Sequence, residues 1–478
     1  MDVQEAFSVD ELYEKVKDYD LVLTVEAPLA DALNNRLSEA QLGVFASTPK
    51  RLIWNSFGNE DLADERELFI KVARETDLTW KESFYLIKNI LSCWRETGRL
   101  RGILDFEDFD DDSTKRVISV IESTPNLYSA LEDFEVDEDL SVAVIGLYQF
   151  NALDEAVLPG DYDVFDVFKG NEIELSEFSV FSTVTGLIQG IRDNVSRGNA
   201  DDVAIVISPD SGYSSLVKSV LQAEEIPFML GRGFSEDEGL RTILSLLRLS
   251  LSGERLRVRE VQPVLRQLGL SVPFVHNDEY LNDLEISELS EFKRILRKAR
   301  DSTFREVLQE CEGLLGDLTQ IREEFNEIGI LSEEVSSESV NRLEYYLDSF
   351  DIQVSGTSRG VIIASPKSAS YIDRPIVFYL GMNSTWTHKK PEDPWVSESE
   401  FEEKNLRNFK LLLQNGEQQH YLVRASSLGE DIIPCLYFDE LIDGTLESFR
   451  DLPNKEYWGL KQVEGQGFEK KELDVKTR

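Results

Sequence analysis

The sequence predicts an α/β protein in which parallel sheets are flanked by helices and interrupted by helical insertions. Short runs made entirely of apolar residues, such as VAIVI at Val203–Ile207, are typical of strands buried on both faces of a parallel sheet. Between them, apolar residues recur every three or four positions, which is the period of an amphipathic helix. The 478 residues exceed what one compact core usually holds and are enough for two to four domains.

The first part of the chain opens with the apolar run LVLTV at residues 21–25, followed by the helix-like stretch PLADALNNRL. Residues 60–135 are predicted to be helical because apolar side chains recur at helical steps, as in Phe69, Val72, Trp80, Phe84, Ile87, Ile90 and Leu91. Further strands are predicted at 141–147 and 162–168. We expect a first α/β domain over residues 1–155, with its helical insertion at about 60–135.

The clearest unit follows Asp202. The apolar strand 203–207 leads into a helix whose apolar face carries Tyr213, Leu216, Val217, Val220 and Leu221. An extended segment at 226–229 completes a βαβ unit, and such units build parallel sheets. A further helix follows and is closed by Gly253.

The remaining pattern predicts a second α/β domain that is split by an insertion. Residues 254–355 look mostly helical, with one apolar stripe through Phe304, Val307, Leu308, Cys311, Leu315 and Leu318. Strands return at 361–365, 375–382 and 420–426, with a helix at about 398–414. We therefore expect the second domain to combine 156–253 with 356–430, to enclose the insertion 254–355, and to precede a C-terminal tail at 431–478.

Cysteine and histidine are too sparse and too scattered for the common metal sites. Cys93, Cys311 and Cys435 lie far apart without a CxxC spacing, which excludes a disulfide framework, a zinc ribbon and a self-contained four-cysteine iron–sulfur site. The histidines, at 276, 388 and 420, are equally dispersed. The sequence predicts neither a metal site nor a cofactor.

No apolar run is long enough for a transmembrane helix, and the acidic N-terminal segment is unlike a secretory signal or transit peptide. We therefore expect a cytoplasmic protein without a membrane partner.

The charge is strongly negative, with 91 acidic against 50 basic side chains and a net charge of -41. Because the acids are spread along the whole chain, we favour a halophilic surface that stays hydrated in concentrated salt, the alternative being an ordinary acidic cytosolic protein. The net field repels nucleic-acid phosphates. At 1 M salt the Debye length falls to ~3 Å, so acidity alone does not exclude DNA binding.

Several segments together resemble a known helicase family. They are SVAVIGLYQFNALDEAVLP, DDVAIVISPDSGYSSLVKSVLQAEEIPFMLGRG, GVIIASPKSASYIDRPIVFYLGMN and PEDPWVSESE. The chain resembles superfamily I helicases of the UvrD/RecB type, in particular AddB/RexB-like members. It is also similar to haloarchaeal chains regarded as inactivated helicase-like proteins of the PD-(D/E)xK nuclease family. The resemblance implies two RecA-like lobes with helical insertions.

The departures from the helicase motifs imply an inactive member. No GxxxxGK[ST] phosphate cradle is present, and Gly146 and Leu147 stand where the Mg²⁺-binding carboxylates of a DExQ motif would fall. Residues 364–372 retain only an out-of-place Lys367 of the T-x-H-x-x-K-G-L-E motif. The arginine-finger motif would fall at 409–415, where Gln414 replaces the arginine. The resemblance therefore implies a chain that does not hydrolyse ATP and has no catalytic residues.

AddB-type chains usually end in a PD-(D/E)xK nuclease domain, which needs several carboxylates and a lysine around metal ions. The last residues, GFEKKELDVKTR, carry only a superficial likeness to its D-x-K strand, at Asp474 and Lys476. We expect this chain to lack the nuclease. One alternative function is a DNA nuclease component whose catalytic domain is missing here or lies on a partner. Another is a protein-interaction module without a DNA role.

The charge turns positive in one long segment. Residues 241–305 contain twelve basic and nine acidic side chains, a charge of +3, while the rest of the chain carries -44. If residues 255–259 are extended, the alternating arginines project from one face, and the basic residues at 293–298 share a helical face. The candidate DNA-contacting residues are Arg255, Arg257, Arg259, Lys293, Arg294, Arg297 and Lys298. The alternative is that these are solvated side chains paired with neighbouring acids.

The leading hypothesis is a non-catalytic subunit in DNA repair or recombination. It would act as a scaffold or guide DNA beside an active UvrD/AddA-like helicase or nuclease subunit.

If the acid excess is a halophilic adaptation, the folded state should become more stable as KCl rises into the molar range. Added salt screens the self-repulsion of a chain with charge -41, which is largest in the compact state. Thermal melts at low and at molar KCl test this prediction. A melting temperature that does not change with KCl would favour the ordinary acidic protein.

Overall fold

The computed structural model describes residues 1–37, 44–57, 62–229, 238–253, 255–350, 359–442, 445–458, 461–462 and 468–469. The chain divides into two compact units. One combines Met1–Leu230 with Thr357–Arg478, and the other is Gly231–Gly356.

The described residues form helices of both units in the following order: α1 (Val9–Val16), α2 (Ala27–Asn34), α3 (Pro49–Phe57), α4 (Glu65–Glu75), α5 (Trp80–Thr97), α6 (Asp112–Glu122), α7 (Leu127–Asp133), α8 (Ala152–Ala156), α9 (Val184–Asn194), α10 (Tyr213–Ala223), α11 (Glu238–Leu251), α12 (Val258–Gln267), α13 (Ser290–Lys298), α14 (Phe304–Leu315), α15 (Thr319–Glu327), α16 (Ser337–Ser349) and α17 (Glu398–Leu412).

The strands belong to the larger unit. They are β1 (Asp2–Ala6), β2 (Leu21–Leu23), β3 (Ala46–Ser47), β4 (Val142–Ile145), β5 (Asp163–Phe165), β6 (Phe168–Glu174), β7 (Phe178–Phe181), β8 (Val203–Ile207), β9 (Phe228–Met229), β10 (Val361–Ala364), β11 (Ile376–Leu380), β12 (Gln418–Arg424), β13 (Ser426–Ser427), β14 (Glu430–Asp431), β15 (Lys455–Trp458), β16 (Lys461–Gln462) and β17 (Phe468–Glu469).

The larger sheet has the strand order β15-β7-β12-β11-β8-β10-β9, and all of these pairs are parallel. Strands β8 and β11 are buried at every position because both faces of the sheet are covered there. Val203 and Ile205 pack on the side of α9 and α10, whereas Ala204 and Val206 pack on the side of α17. The sequence-based prediction of an α/β fold with parallel sheets flanked by helices is confirmed.

The smaller sheet has the order β3-β2-β4-β5 and is also parallel. Val22 and Ala143 pack against α1 and α2, in a core that also contains Tyr371 and Leu411 from the later part of the chain. The larger unit therefore holds two parallel sheets, and side chains from the later part of the chain contribute to the core of the smaller sheet. An antiparallel ribbon of β1 and β6 accompanies them.

The pairing of strands differs from the sequence-based expectation in three places. Strand β5 was assigned with residues 156–253 to the second domain, but it pairs with β4 in the smaller sheet. Strand β10 lies between β8 and β9, so the two strands of the predicted βαβ unit are not neighbours. Strand β15 pairs with β7, although it falls in the expected C-terminal tail. Each pairing joins segments that local periodicity does not relate.

In the helical stretch at 60–135, the sequence marks where helices α4 and α5 begin and where α5 ends. Helices α4 and α5 begin with capping boxes, Asp64 with Glu67 and Thr79 with Glu82. Helix α5 ends at Gly98, whose φ of 66° is a left-handed conformation that glycine adopts at little cost.

The second unit is helical in its described part, from α11 to α16. Its core contains Phe292 and Tyr346 together with an edge-to-face pair of Phe304 and Phe325, whose centroids are 5.9 Å apart. The apolar stripe predicted along α14 is buried from Phe304 to Cys311 and half-buried at Leu315, which explains its helical spacing. Among the described residues, no helix is both long and apolar enough to cross a membrane.

Candidate functional site

The carboxyl ends of the strands in the smaller sheet lie beside α17, and this region is called the junction below. Strand β2 is followed by the short segment Thr24–Glu26 before α2 begins, and β4 is followed by Gly146. Ligand sites in parallel α/β sheets commonly form at such strand ends, in the crevice that they open. The junction is therefore the first place to look for function.

Glu26 stands at the N-terminal end of α2, and its carboxylate faces the later part of the chain. It accepts hydrogen bonds from the side chain and backbone of Ser370 and from Gln149 Nε2, the latter at 3.3 Å. Burial raises the pKa of the Glu26 carboxyl above its ordinary 4.5, against the lowering effects of those hydrogen bonds and of nearby Lys404. The chain thus places its own acid at this helix end.

Gln149 is buried beside Glu26 and bonds to α17. Its Nε2 donates to Asn408 Oδ1 at 2.9 Å, and its backbone carbonyl accepts from Lys404 Nζ at 2.6 Å. Gly146 makes the turn that places this glutamine, with φ at 70°. A side chain at Gly146 would bring its Cβ within 3.0 Å of Gln149 Oε1. The backbone conformation therefore favours glycine, and a larger residue would also push the Gln149 side chain aside.

Helix α17 supplies the basic side chains of the junction. Arg407 donates through Nη2 to Asp166 at 3.0 and 3.2 Å and lies over the ring of Tyr148, 4.1 Å from its centroid. The Tyr148 hydroxyl donates to Asn408 Oδ1 at 3.1 Å, and burial raises the pKa of that phenol. The guanidinium of Arg407 is thus already neutralised and stacked within the chain.

A few buried polar atoms of the junction lack a partner among the described residues: Gln149 Oε1, Arg407 Nε and the Tyr371 hydroxyl. Burial raises the pKa of Tyr371 well above its ordinary value. Within the same described residues, no cluster of three or more His, Cys, Asp or Glu side chains is suited to holding a metal ion. The junction is polar, but its groups bond mainly to one another.

Gln414 is the residue that, by the resemblance, replaces an arginine finger. Gln414 lies away from the junction and ties α17 to β1, since it accepts from Ala6 N at 2.8 Å and donates to Gln4 O at 2.9 Å. The basic residues at the junction are Lys404 and Arg407, which the sequence interpretation missed. The sequence did contain a signal for this pair, because the two basic residues lie three positions apart on a helix that was predicted.

Lys367, the lysine left from the helicase-like motif at 364–372, lies near the loop after β8. It follows β10, and its Nζ lies 3.5 Å from Asp210 Oδ2, while its carbonyl accepts from His388 Nε2 at 3.3 Å. This lysine pairs with the loop after β8. The segment 467–478, where the D-x-K likeness fell, contains only Phe468 and Glu469 within the described residues.

The basic residues at 255–259 do not form the extended strand that was considered. Arg257 is extended, but helix α12 begins at Val258 and includes Arg259, so the three arginines do not alternate along one strand face. Arg257 and Arg259 both face Asp278, with N–O distances of 3.7 and 3.1 Å. Arg255 is exposed and has no acidic partner among the described residues. The acid pairing considered as the alternative therefore applies to two of the three arginines.

The second basic group lies on α13, as the spacing predicted. Arg294 and Lys298 both pair with Glu310 of α14, and Lys293 Nζ donates to a backbone carbonyl, that of Leu284. Arg297 is exposed and, within the described part of the chain, makes no ion pair. Each cluster thus combines acid-paired side chains with one unpaired arginine.

The chain matches no protein-family model, and no curated protein is significantly similar to it.

Replacing Glu26 by glutamine should make the protein at least as stable as wild type near pH 8. Because the folded-state pKa of Glu26 is raised, ionisation destabilises the folded protein as pH rises through that pKa. Wild type should regain stability relative to Glu26→Gln as pH falls toward 4.5, where the unfolded carboxyl also protonates. Urea unfolding of both proteins from pH 8 to 4.5 measures the difference. The exposed Glu177→Gln variant is the control and should show no such trend. A difference between wild type and Glu26→Gln that is independent of pH would contradict a desolvated carboxylate.

Proposed function

We propose that this protein is a non-catalytic, AddB-like helicase-related subunit. It would serve as a scaffold or guide DNA beside an active helicase or nuclease subunit in DNA repair or recombination. On this proposal the two parallel sheets are RecA-like lobes, and the unit 231–356 is the helical insertion of the second lobe. The junction supports the proposal: if the smaller sheet is a RecA-like lobe, side chains of the chain itself occupy the place at which such helicases hold nucleotide.

The loop after β2 lacks what phosphate binding requires. A phosphate cradle uses the amides of a glycine-rich loop and a lysine that reaches the β- and γ-phosphates. Here the connection to α2 is only Thr24–Glu26, without glycine or lysine. A carboxylate at this position repels phosphate, although a helix N-terminus would otherwise attract it.

The segment after β4 also lacks the ligands for Mg²⁺. Divalent magnesium prefers carboxylate oxygens and water, and neither Gly146 nor Leu147 offers a side-chain oxygen. Gln149 lies near the end of the strand, but its side-chain amide already donates hydrogen bonds to Glu26 and Asn408. Lys404 and Arg407, which could face a transferring phosphate, bond to Gln149 O and Asp166.

The first test of the proposal is nucleotide chemistry. We expect no tight binding of Mg·ATP by calorimetry and no ATP hydrolysis, with or without single-stranded DNA. An active helicase measured under the same salt conditions shows that the assay works. Turnover that DNA stimulates would overturn the non-catalytic proposal.

DNA contact, if it occurs, must use local positive charge because the whole chain repels phosphate. The segment 241–305 is the place for it, with exposed Arg255 and Arg297 beside arginines that an acid already balances. Each lost phosphate contact reduces the salt slope of binding by about 0.7 for single strands and about 0.9 for duplex.

Replacing Arg255, Arg257 and Arg259 by glutamine should weaken binding to single-stranded and forked DNA of any sequence. We expect the log–log salt slope to fall by about 2 to 3 if all three contact phosphate, because the electrostatic term is independent of sequence. Fluorescence anisotropy over a range of KCl concentrations measures both quantities.

The matched control replaces Arg99, Arg101 and Arg116 by glutamine, which changes the net charge equally. These arginines are exposed and paired with Asp105, Glu122 and Asp77 in the larger unit. Equal effects of both triple variants would show that only net charge matters. Unchanged affinity and slope in the 255–259 variant would remove the DNA contact and favour a protein-interaction module.

A further inference from the structure

A tight hairpin projects after strand β12. Strands β13 and β14 pair with Ser427 opposite Glu430, which leaves Leu428 and Gly429 as a two-residue turn. Both turn residues have positive φ, 54° and 92°. Two-residue hairpins with positive φ at both central positions are type I′ turns, which favour asparagine, aspartate or glycine.

Leucine is a poor residue for the first position of this turn. Its Cβ crowds the following carbonyl in the left-handed conformation, and it has no polar group to bond locally. Burial does not offset that cost, because Leu428 is fully exposed. A large apolar side chain held in an unfavourable backbone conformation and in water points to a role outside the folding of this chain.

The base of the hairpin is firmly held. Cys435 N donates to Met382 O at 3.0 Å, and Ile432 N donates to Ala425 O at 3.0 Å. Asp431 pairs with Arg450 at 3.3 Å. The tip is therefore presented on an anchored base, so little conformational freedom would be lost when it is bound.

Other apolar side chains are exposed along the same segment. Ile433 and Leu436 are 61% and 63% exposed, while Pro434 and Cys435 between them are buried. Buried residues fix the backbone, and the large apolar groups on either side of them face solvent. Leu428, at the hairpin tip, and Ile433 and Leu436, which follow the hairpin, are together called the hairpin knob below.

We propose that the hairpin knob docks into an apolar pocket of a folded partner protein whose rim carries lysine or arginine. Asp431 is already paired with Arg450, but the exposed Glu430 beside the tip has no basic partner among the described residues, so its charge complements a basic rim and repels nucleic acid and anionic lipid. A second copy of this chain, with a charge of -41, offers a predominantly acidic surface instead. The proposal stands independently of whether the partner is a helicase or nuclease.

The test begins with the full chain carrying the photocrosslinker p-benzoylphenylalanine at position 428. A second preparation carries it at position 216, where Leu216 is another exposed leucine, on α10. Both are irradiated in extract of the source cells. The protein that crosslinks at 428 and not at 216 is identified, produced alone and titrated with the purified full chain.

The expected result is that Leu428→Asn raises the Kd for that purified protein at least tenfold. The melting temperature of the variant should be unchanged or higher, because asparagine adopts positive φ more readily. Glu430→Lys should also weaken binding, by reversing charge toward the basic rim, whereas Leu216→Gln should leave Kd unchanged.

The proposal is overturned by equal affinity of wild type and Leu428→Asn, or by crosslinks confined to a second copy, nucleic acid or lipid. It is equally overturned if position 428 crosslinks to no protein. The outcome for the proposed function is separate. If the partner needs the hairpin knob but is neither a helicase nor a nuclease, the docking site is supported and the proposed function is not. If a helicase subunit binds without the hairpin knob, the proposed function is supported and the docking site is not.

Discussion

The larger unit depends on a network of hydrogen bonds that joins its two parallel sheets through α17. Gln149, which follows β4, donates hydrogen bonds to Glu26 beside α2 and to Asn408 of α17. Lys404 of α17 donates to the backbone carbonyl of Gln149. Because these groups are largely withdrawn from water, each would be costly to leave without a partner. The network makes the end of α2 a packed contact instead of an open phosphate site. The proposal of a non-catalytic subunit follows from that contact.

Charge acts at two scales in this protein. Over the whole chain the acid excess creates self-repulsion that salt screens. Locally, acids balance many of the basic side chains, as Asp278 does for Arg257 and Arg259 and Glu310 does for Arg294. The positive charge left for an outside ligand is therefore smaller than the residue count of 241–305 suggests. The exposed arginines of that segment set the electrostatic strength of any nucleic-acid contact.

Local patterns predicted much of the secondary structure. The apolar strands β8 and β11 and the helix α17 were located because their periods differ clearly and their lengths are ordinary. Strand partners were predicted less well, since β10 enters between β8 and β9 after the whole unit 231–356. Such pairings join residues far apart in sequence, and one sequence contains no local signal for them.

The candidate site was predicted in part for a similar reason. The strand end at Gly146–Gln149 could be found, because a buried apolar run points to it. The roles of Glu26 and Arg407 could not, because they depend on which face of α17 packs against the smaller sheet. The helix start at Val258 was not predicted, because α12 lacks an ordinary capping side chain such as serine or aspartate.

The chain's own side chains tie its two sheet regions together. Arg36, after α2, makes a bidentate pair with Asp373, which precedes β11, at 2.7 and 3.0 Å. A double-mutant cycle with Arg36→Gln and Asp373→Asn, measured by urea unfolding, tests this tie directly. We expect a coupling of about 1 kcal/mol for this partly buried, charge-assisted pair. The more exposed bidentate pair of Arg101 and Glu122 is the control and should give a weaker coupling. A coupling of zero between Arg36 and Asp373 would show that this pair does not tie the two sheet regions together.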